Sequence, residues 1–396
     1  MDKIIIGKYE ISKALFLFLT ITVLLGMVVA VDSTSLANRL YEDLGFTVME
    51  RSMLEAPREI PGVLSVVFIG VLNALGDSGI AAAANIIGGV GLILFGIAPN
   101  GFGMILVFLV LYSIGQHLYI PLSNTIAMTF AKGGDMGLRL GQIQGLSSLS
   151  VIISSGTLYL LYRFFEISYG TVFVISGCAM LSSGVLFILL SAQRGKVVSE
   201  KRFVLRREFK MFYVLSVING ARKQITITFA PWLLISVFEQ PVTTIAALFF
   251  VVCVINIFFK PWFGKMIDRK GEVFMLKSEA CVMFFACLGF TFAKSVFRPK
   301  VALAVAGFCY IADKLMESAY MARATYVKKL SKDPSHVART LAMGQSMDHV
   351  VSVFIPVLAG YVWSVGGPGG YMYVFAGGML ISALNFIAAG KLKFRD

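Results

Sequence analysis

The sequence predicts an all-α integral membrane protein of twelve transmembrane helices, arranged as two pseudo-symmetric six-helix bundles. Three observations carry that prediction. Apolar runs of the ~20 residues needed to cross a bilayer recur along the whole chain. Lysine and arginine gather on alternate connections. The two halves repeat the same short patterns in the same order. Composition agrees, because a chain that is 57% hydrophobic and 14% charged, with a mean hydropathy of +0.81, has too little polar surface for a soluble fold of 396 residues.

Taken in order, the expected spans are 13–38, 52–74, 79–98, 102–131, 137–162 and 169–192 in the first half. The second half gives 210–237, 241–263, 273–293, 300–327, 336–365 and 370–391. The first run, from Ala14 to Ala30, follows a basic start but is too long for a signal peptide and lacks a small-residue cleavage region, so it reads as a retained span. The halves are residues 1–192 and 210–396, joined by a basic linker at 193–209. The five cysteines (Cys178, Cys253, Cys281, Cys287, Cys309) all lie in apolar runs without CxxC spacing, which points to packing and not to a disulfide or metal site.

Orientation follows from the 35 basic residues: 24 fall on segments on the side of the N-terminus, 6 on the opposite side, and 5 within spans. By the positive-inside rule both termini are cytoplasmic, and the protein is a multi-pass plasma (inner) membrane protein. The same asymmetry accounts for the net charge of +13 without a nucleic-acid partner.

Internal repetition supports the division into halves. "SIGQHLYIPLSNTIA" in the fourth span parallels "YIADKLMESAYMARA" in the tenth, and "LGQIQGLSSLSVIISSGTLY" parallels "MGQSMDHVVSVFIPVLAGYVW". The sixth and twelfth spans open with "YGTVFVISG" and "YMYVFAGG".

After the eighth span stands "FGKMIDRKGE", residues 263–272. It resembles the G-x-x-x-D-R-x-G loop of the major facilitator superfamily, matched here by Gly264, Asp268, Arg269 and Gly271. In this reading Gly264 permits close helix contact, and Asp268 caps a neighbouring helix or pairs with arginine. The first half departs from the pattern: Gly70 aligns, the acidic position is Ala74, and Asp77 stands nearby. The fourth span carries Leu111 near the arginine common in proton-coupled members, and the fifth lacks the Gly-Pro pattern of drug/proton antiporters. The resemblance implies two bundles around a central cavity lined by the first, fourth, seventh and tenth helices.

Charges inside spans are costly and mark function or register. The seventh span, "VLSVINGARKQITITFAPWLL", holds Arg222 and Lys223 beside Asn219, and counting at 1.5 Å per residue puts Arg222 roughly 18 Å from the helix end. In the tenth span Asp313 and Glu317 share a face, with Lys314 alongside; in the fourth, His117 follows Gln116. These residues are expected to form a polar belt that binds substrate. A second group comprises Glu55, Arg58 and Glu59 of the second span with Asp348 and His349 of the eleventh. The resemblance places those helices side by side, so Arg58–Asp348 or Glu59–His349 pairs are expected to gate or couple protons, on a helix distorted by Pro57 and Pro61. Static salt bridges fixing helix register are the competing reading, and Asp32 divides evenly between cavity lining and a solvated helix end.

Adjacent cations with amide and hydroxyl neighbours suit a carboxylate or phosphate. The expected function is therefore secondary active transport of a small polar, anionic organic solute, coupled to protons or another ion, by a monomer in the lipid bilayer. A multidrug or lipid-like amphiphile exporter of the same fold is the alternative, disfavoured by the crowded polar belt. No HExxH, GxSxG or GxxxxGK[ST] motif is present, so no catalytic residues, metal or cofactor are expected.

Overall fold

The computed structural model of the chain describes residues 3–6, 9–130, 136–194, 205–331 and 334–393. The helices follow the predicted order: α1 Lys13–Asn38, α2 Val48–Val71, α3 Gly76–Ile97, α4 Phe102–Met128, α5 Met136–Phe164 and α6 Tyr169–Arg194. The second half contains α7 Lys210–Ser236, α8 Val242–Lys270, α9 Glu272–Val296, α10 Pro299–Met316, α11 Tyr320–Leu330, α12 Pro334–Val365 and α13 Gly370–Gly390. Helices α10 and α11 are two parts of the predicted tenth span, joined by a 3₁₀ turn at Glu317–Ala319. Ahead of α1, the isoleucine-rich Lys3–Ile6 pairs antiparallel with Tyr9–Ser12, a short pairing that lies outside the predicted spans.

Nine helices among the described residues are long and apolar enough to cross a bilayer. The spans outside that set are α2, α7 and the α10–α11 pair, the three that carry most of the predicted intramembrane charges. Their lower hydropathy is the direct result of those charges, and burial compensates for it, as α7 shows by burying Asn219, Arg222, Gln224, Thr226 and Thr228.

Two boundaries differ from expectation for local reasons. Helix α2 begins at Val48 because Thr47 and Glu50 form a capping box: the Thr47 backbone N–H donates to Glu50 Oε2 (2.9 Å), and the Glu50 N–H donates to Thr47 Oγ1 (3.2 Å). Helix α8 runs on to Lys270 because Phe263 and Ile267 remain buried, in a cluster with Phe209, Phe212 and Tyr326. Gly271 ends it with a φ of +81°, a conformation that favours glycine.

By packing, the chain forms two compact units. One comprises Met1–Arg39 and Leu64–Lys201, the other Leu40–Val63 and Arg202–Asp396. The first part of α2 therefore packs with the second unit, and most of the 193–209 linker lies outside the described residues. In the first unit α3 is central, packing on α4 and α6. Small residues set that approach: a Cβ on Gly115 would meet Ala84 O at 2.5 Å and Gly88 Cα at 2.8 Å. Arg39, counted among the connecting residues from sequence, is buried; its Nη2 donates to the carbonyls of Phe95 (2.8 Å) and Gly96 (3.0 Å) at the end of α3. In the second unit α7 packs on α12 and α13, and α9 on α10 and α13.

Candidate functional site

The second unit contains a buried ionic network centred on Arg222. Its Nη2 lies 2.9 Å from Glu279 Oε1 on α9 and donates to Asn219 Oδ1 one turn back on α7 (3.1 Å). Its Nη1 is 3.8 Å from Asp313 Oδ1 on α10. Glu279 is fully buried, and its Oε2 accepts from Asn385 Nδ2 on α13 at 2.9 Å. Asp313, expected in the same polar belt, is thus the more distant partner. The closer partner is Glu279, a carboxylate inside the predicted ninth span that sequence reasoning did not single out. Its signal was weak, an acid a few residues inside the predicted span but directly after Lys277 and Ser278.

Lys223 points elsewhere. Its Nζ is 3.0 Å from Asp348 Oδ1 on α12, with both side chains partly exposed. Ser352 supports Asp348, donating to its backbone carbonyl at 2.9 Å. The close helix crossing comes from Gly220, where a Cβ would fall 2.5 Å from Asp348 Oδ1 and 2.6 Å from Asp348 O. The predicted Arg58–Asp348 pair is replaced by this one, because Arg58 Nη1 bonds Glu55 Oε1 at 2.8 Å along its own helix and Arg51 bonds the same oxygen. The other predicted pair is close: His349 Nδ1 lies 2.6 Å from Glu59 Oε2.

The tenth span departs from the one-face expectation. Asp313 is buried toward Arg222, whereas Glu317, in the 3₁₀ turn, has a side chain that is 53% exposed and takes Lys314 Nζ at 2.8 Å. The tighter winding of that turn breaks the i, i+4 alignment. In the first unit, His117 Nδ1 lies 2.9 Å from Ser113 O and 3.0 Å from Ser113 Oγ on α4, and Gln116 is half-buried beside it. Asp77 is buried in the first turn of α3, and Asp32 is half-buried on α1.

The motif residues take a different form from the loop the sequence suggested. Gly264, Asp268 and Arg269 belong to α8 itself, and only Gly271 lies between helices. A Cβ on Gly264 would meet nothing within 4 Å, so it creates no close helix contact. Asp268 and Arg269 are exposed, and the first turn of α9 has no side-chain cap from Asp268. The local anchor is Glu272, 1% exposed, in contact with Lys329 Nζ of α11 at 2.7 Å. Neither residue stood out in sequence, because each lies among the charges of a connecting segment.

Residues 15–312 match the family model of the Major Facilitator Superfamily. No curated protein matches the chain in sequence. Among solved structures, the nucleoside transporter NupG is 16% identical with a TM-score of 0.76, over 96% of this chain and 100% of that one. A POT family peptide transporter in an auto-inhibited form is 10% identical with a TM-score of 0.77, over 97% and 98%. A bacterial homologue of the human lysosomal transporter Spinster, inward-facing and occupied, is 17% identical with a TM-score of 0.68, over 96% and 94%. At these identities the likeness concerns the fold. With the family match over most of its length, and with ionisable groups concentrated in the least apolar spans, the chain belongs to the major facilitator superfamily as a multi-pass membrane transport protein and not an enzyme.

Proposed function

We propose that this secondary transporter moves a small polar, anionic organic solute by alternating access, coupled to protons. Arg222, Lys223, Asn219, Asp313, Lys314 and Glu317 serve the solute or its coupling ion, with His117 and Gln116 contributing from the first half. Glu55, Arg58, Glu59, Asp348 and His349 gate or couple, and the Gly264–Asp268–Arg269–Gly271 segment controls the switch between states. The protein works as a monomer in the plasma membrane with both termini cytoplasmic, its halves being residues 1–192 and 210–396.

The observation that carries this reading is the set of ion pairs inside spanning helices of the second unit, the buried Arg222 with Glu279 and the partly exposed Lys223 with Asp348. Each ion costs several kcal/mol to remove from water, and well-packed apolar residues of the same volume hold helices together at least as well. Ion pairs that persist under that cost suit a site whose partners are exchanged during a cycle. Carboxylates held by a single cation are also the groups able to take up a proton when access changes.

The test is uptake by the purified full-length protein in proteoliposomes, using matched anionic, neutral and cationic small solutes with and without an imposed pH gradient. The reading expects accumulation of an anionic solute that is abolished when the gradient is collapsed. Uptake confined to neutral or cationic solutes would contradict it.

A further inference from the structure

Of the cations that the sequence places within the spans, Arg58 holds Glu55, and among the described residues of the second unit Arg323 alone is left over when the others are paired. Arg222 holds Glu279 (2.9 Å), Lys223 holds Asp348 (3.0 Å) and Lys314 holds Glu317 (2.8 Å). Arg323, on α11 just beyond the 3₁₀ turn, has no carboxylate within 4.0 Å among the described residues and makes no side-chain hydrogen bond there. It is one of the five cations within the spans predicted from sequence.

Its surroundings are those of the network. Arg323 lies within electrostatic reach of Glu279 and Asp348, which attract it, and of Arg222, which repels it. Both carboxylates are already committed to other cations, so neither neutralises it. The residue is half-buried on α11, which packs on α8, α9 and α12. Seven residues separate it from the end of α11 at Leu330, about 10 Å along the helix. A solvated surface arginine would sit nearer that end, where Lys328 and Lys329 are exposed. A structural arginine would have a partner, as Arg39 and Arg222 do.

We propose that Arg323 receives the carboxylate or phosphate group of the transported solute. A guanidinium presents a planar fork of N–H donors that matches either oxyanion in two parallel bonds. The binding energy comes from neutralising a cation that the protein leaves uncompensated, while Arg222 and Lys223 stay on their own carboxylates. The inference rests on the anionic-solute reading above and sharpens it by moving the contact from the paired cations of α7 to the unpaired one of α11.

The experiment is arginine-selective labelling with phenylglyoxal of the full-length protein in lipid nanodiscs, mapped by mass spectrometry. Probes are succinate, inorganic phosphate and the uncharged analogue succinamide. Arg323 is expected to react ahead of the ion-paired Arg222. One of the two anions should slow its modification and succinamide should not; which anion does so separates a carboxylate from a phosphate solute. Arg323→Gln should weaken binding of the protecting anion by about 30-fold, the loss of one charge-assisted contact of about 2 kcal/mol. Arg323→Lys, which keeps the charge, should recover part of that affinity and guards against a folding defect in the glutamine variant. Protection by neither anion, or wild-type anion affinity in Arg323→Gln, overturns the inference. So does unchanged affinity with transport lost, which would make Arg323 a moving element and not a ligand. Proteoliposome uptake separates the two levels: anion uptake undiminished by Arg323→Gln removes this inference alone, and uptake of only uncharged or cationic solutes removes the anionic-solute reading as well.

Discussion

Lys223 Nζ and Asp348 Oδ1 meet at 3.0 Å because Gly220, one turn earlier on α7, has no side chain to hold α12 away. A methyl there would fall 2.5 Å from the carboxylate oxygen and 2.6 Å from the Asp348 carbonyl, and backbone cannot yield as a flexible side chain can. Gly220→Ala is therefore expected to destabilise the protein by about 1–3 kcal/mol through overpacking. A thermal-unfolding measurement in detergent checks this, and an unshifted melting temperature would show that the helices separate without cost.

The α8–α9 connection offers a paired comparison. Asp268 is exposed and makes no cap or ion pair among the described residues, so Asp268→Ala should leave stability within about 0.5 kcal/mol of wild type. If the segment controls switching as proposed, the same variant binds solute and transports it slowly. Lys329→Ala removes a cation from the buried Glu272 carboxylate at 2.7 Å. Because the lysine side chain is 55% exposed, water replaces part of the loss, and about 1 kcal/mol is expected. Lys328→Ala is the control, and equal melting temperatures for the two lysine variants would remove Glu272 as the anchor.

Topology is tested by single cysteines in a background lacking the five native ones. Arg207→Cys should react with a membrane-impermeant thiol reagent from the cytoplasmic side only, and Phe297→Cys from the outside only. Both positions are exposed, so access depends on side and not on burial. Labelling of both from one side would break the proposed orientation.

Element order was legible in the sequence because a bilayer imposes a single strong rule, about twenty apolar residues per crossing. Ends were legible only where local chemistry is simple. The Thr47–Glu50 capping box could have placed the start of α2, whereas the run of α8 through Phe263 and Ile267 depends on tertiary burial that periodicity does not reveal. In the candidate site, charged residues in the middle of long apolar runs were easy to find, and Arg222, Lys223 and Asp313 were among them. Which charge meets which was not, since partner choice depends on helix rotation and on close approaches such as Gly220 against Asp348. Glu279 shows the limit clearly. It is the closest carboxylate partner of Arg222, yet its sequence neighbours Lys277 and Ser278 make it resemble the end of a span.

In the proposed function the buried charges serve transport and are not scaffolding. Its most direct test is the Arg222/Glu279 pair in a double-mutant cycle, read by melting temperature and by proteoliposome uptake together. Arg222→Gln strands the buried Glu279 and should cost about 3–5 kcal/mol, whereas Glu279→Gln leaves Arg222 to Asp313 at 3.8 Å and should cost less. The double variant removes both charges and should recover most of that stability. If the charges serve transport, it folds with a near wild-type melting temperature and still fails to accumulate solute. Full transport by the doubly neutral protein would contradict it and leave the network as a helix-registering device.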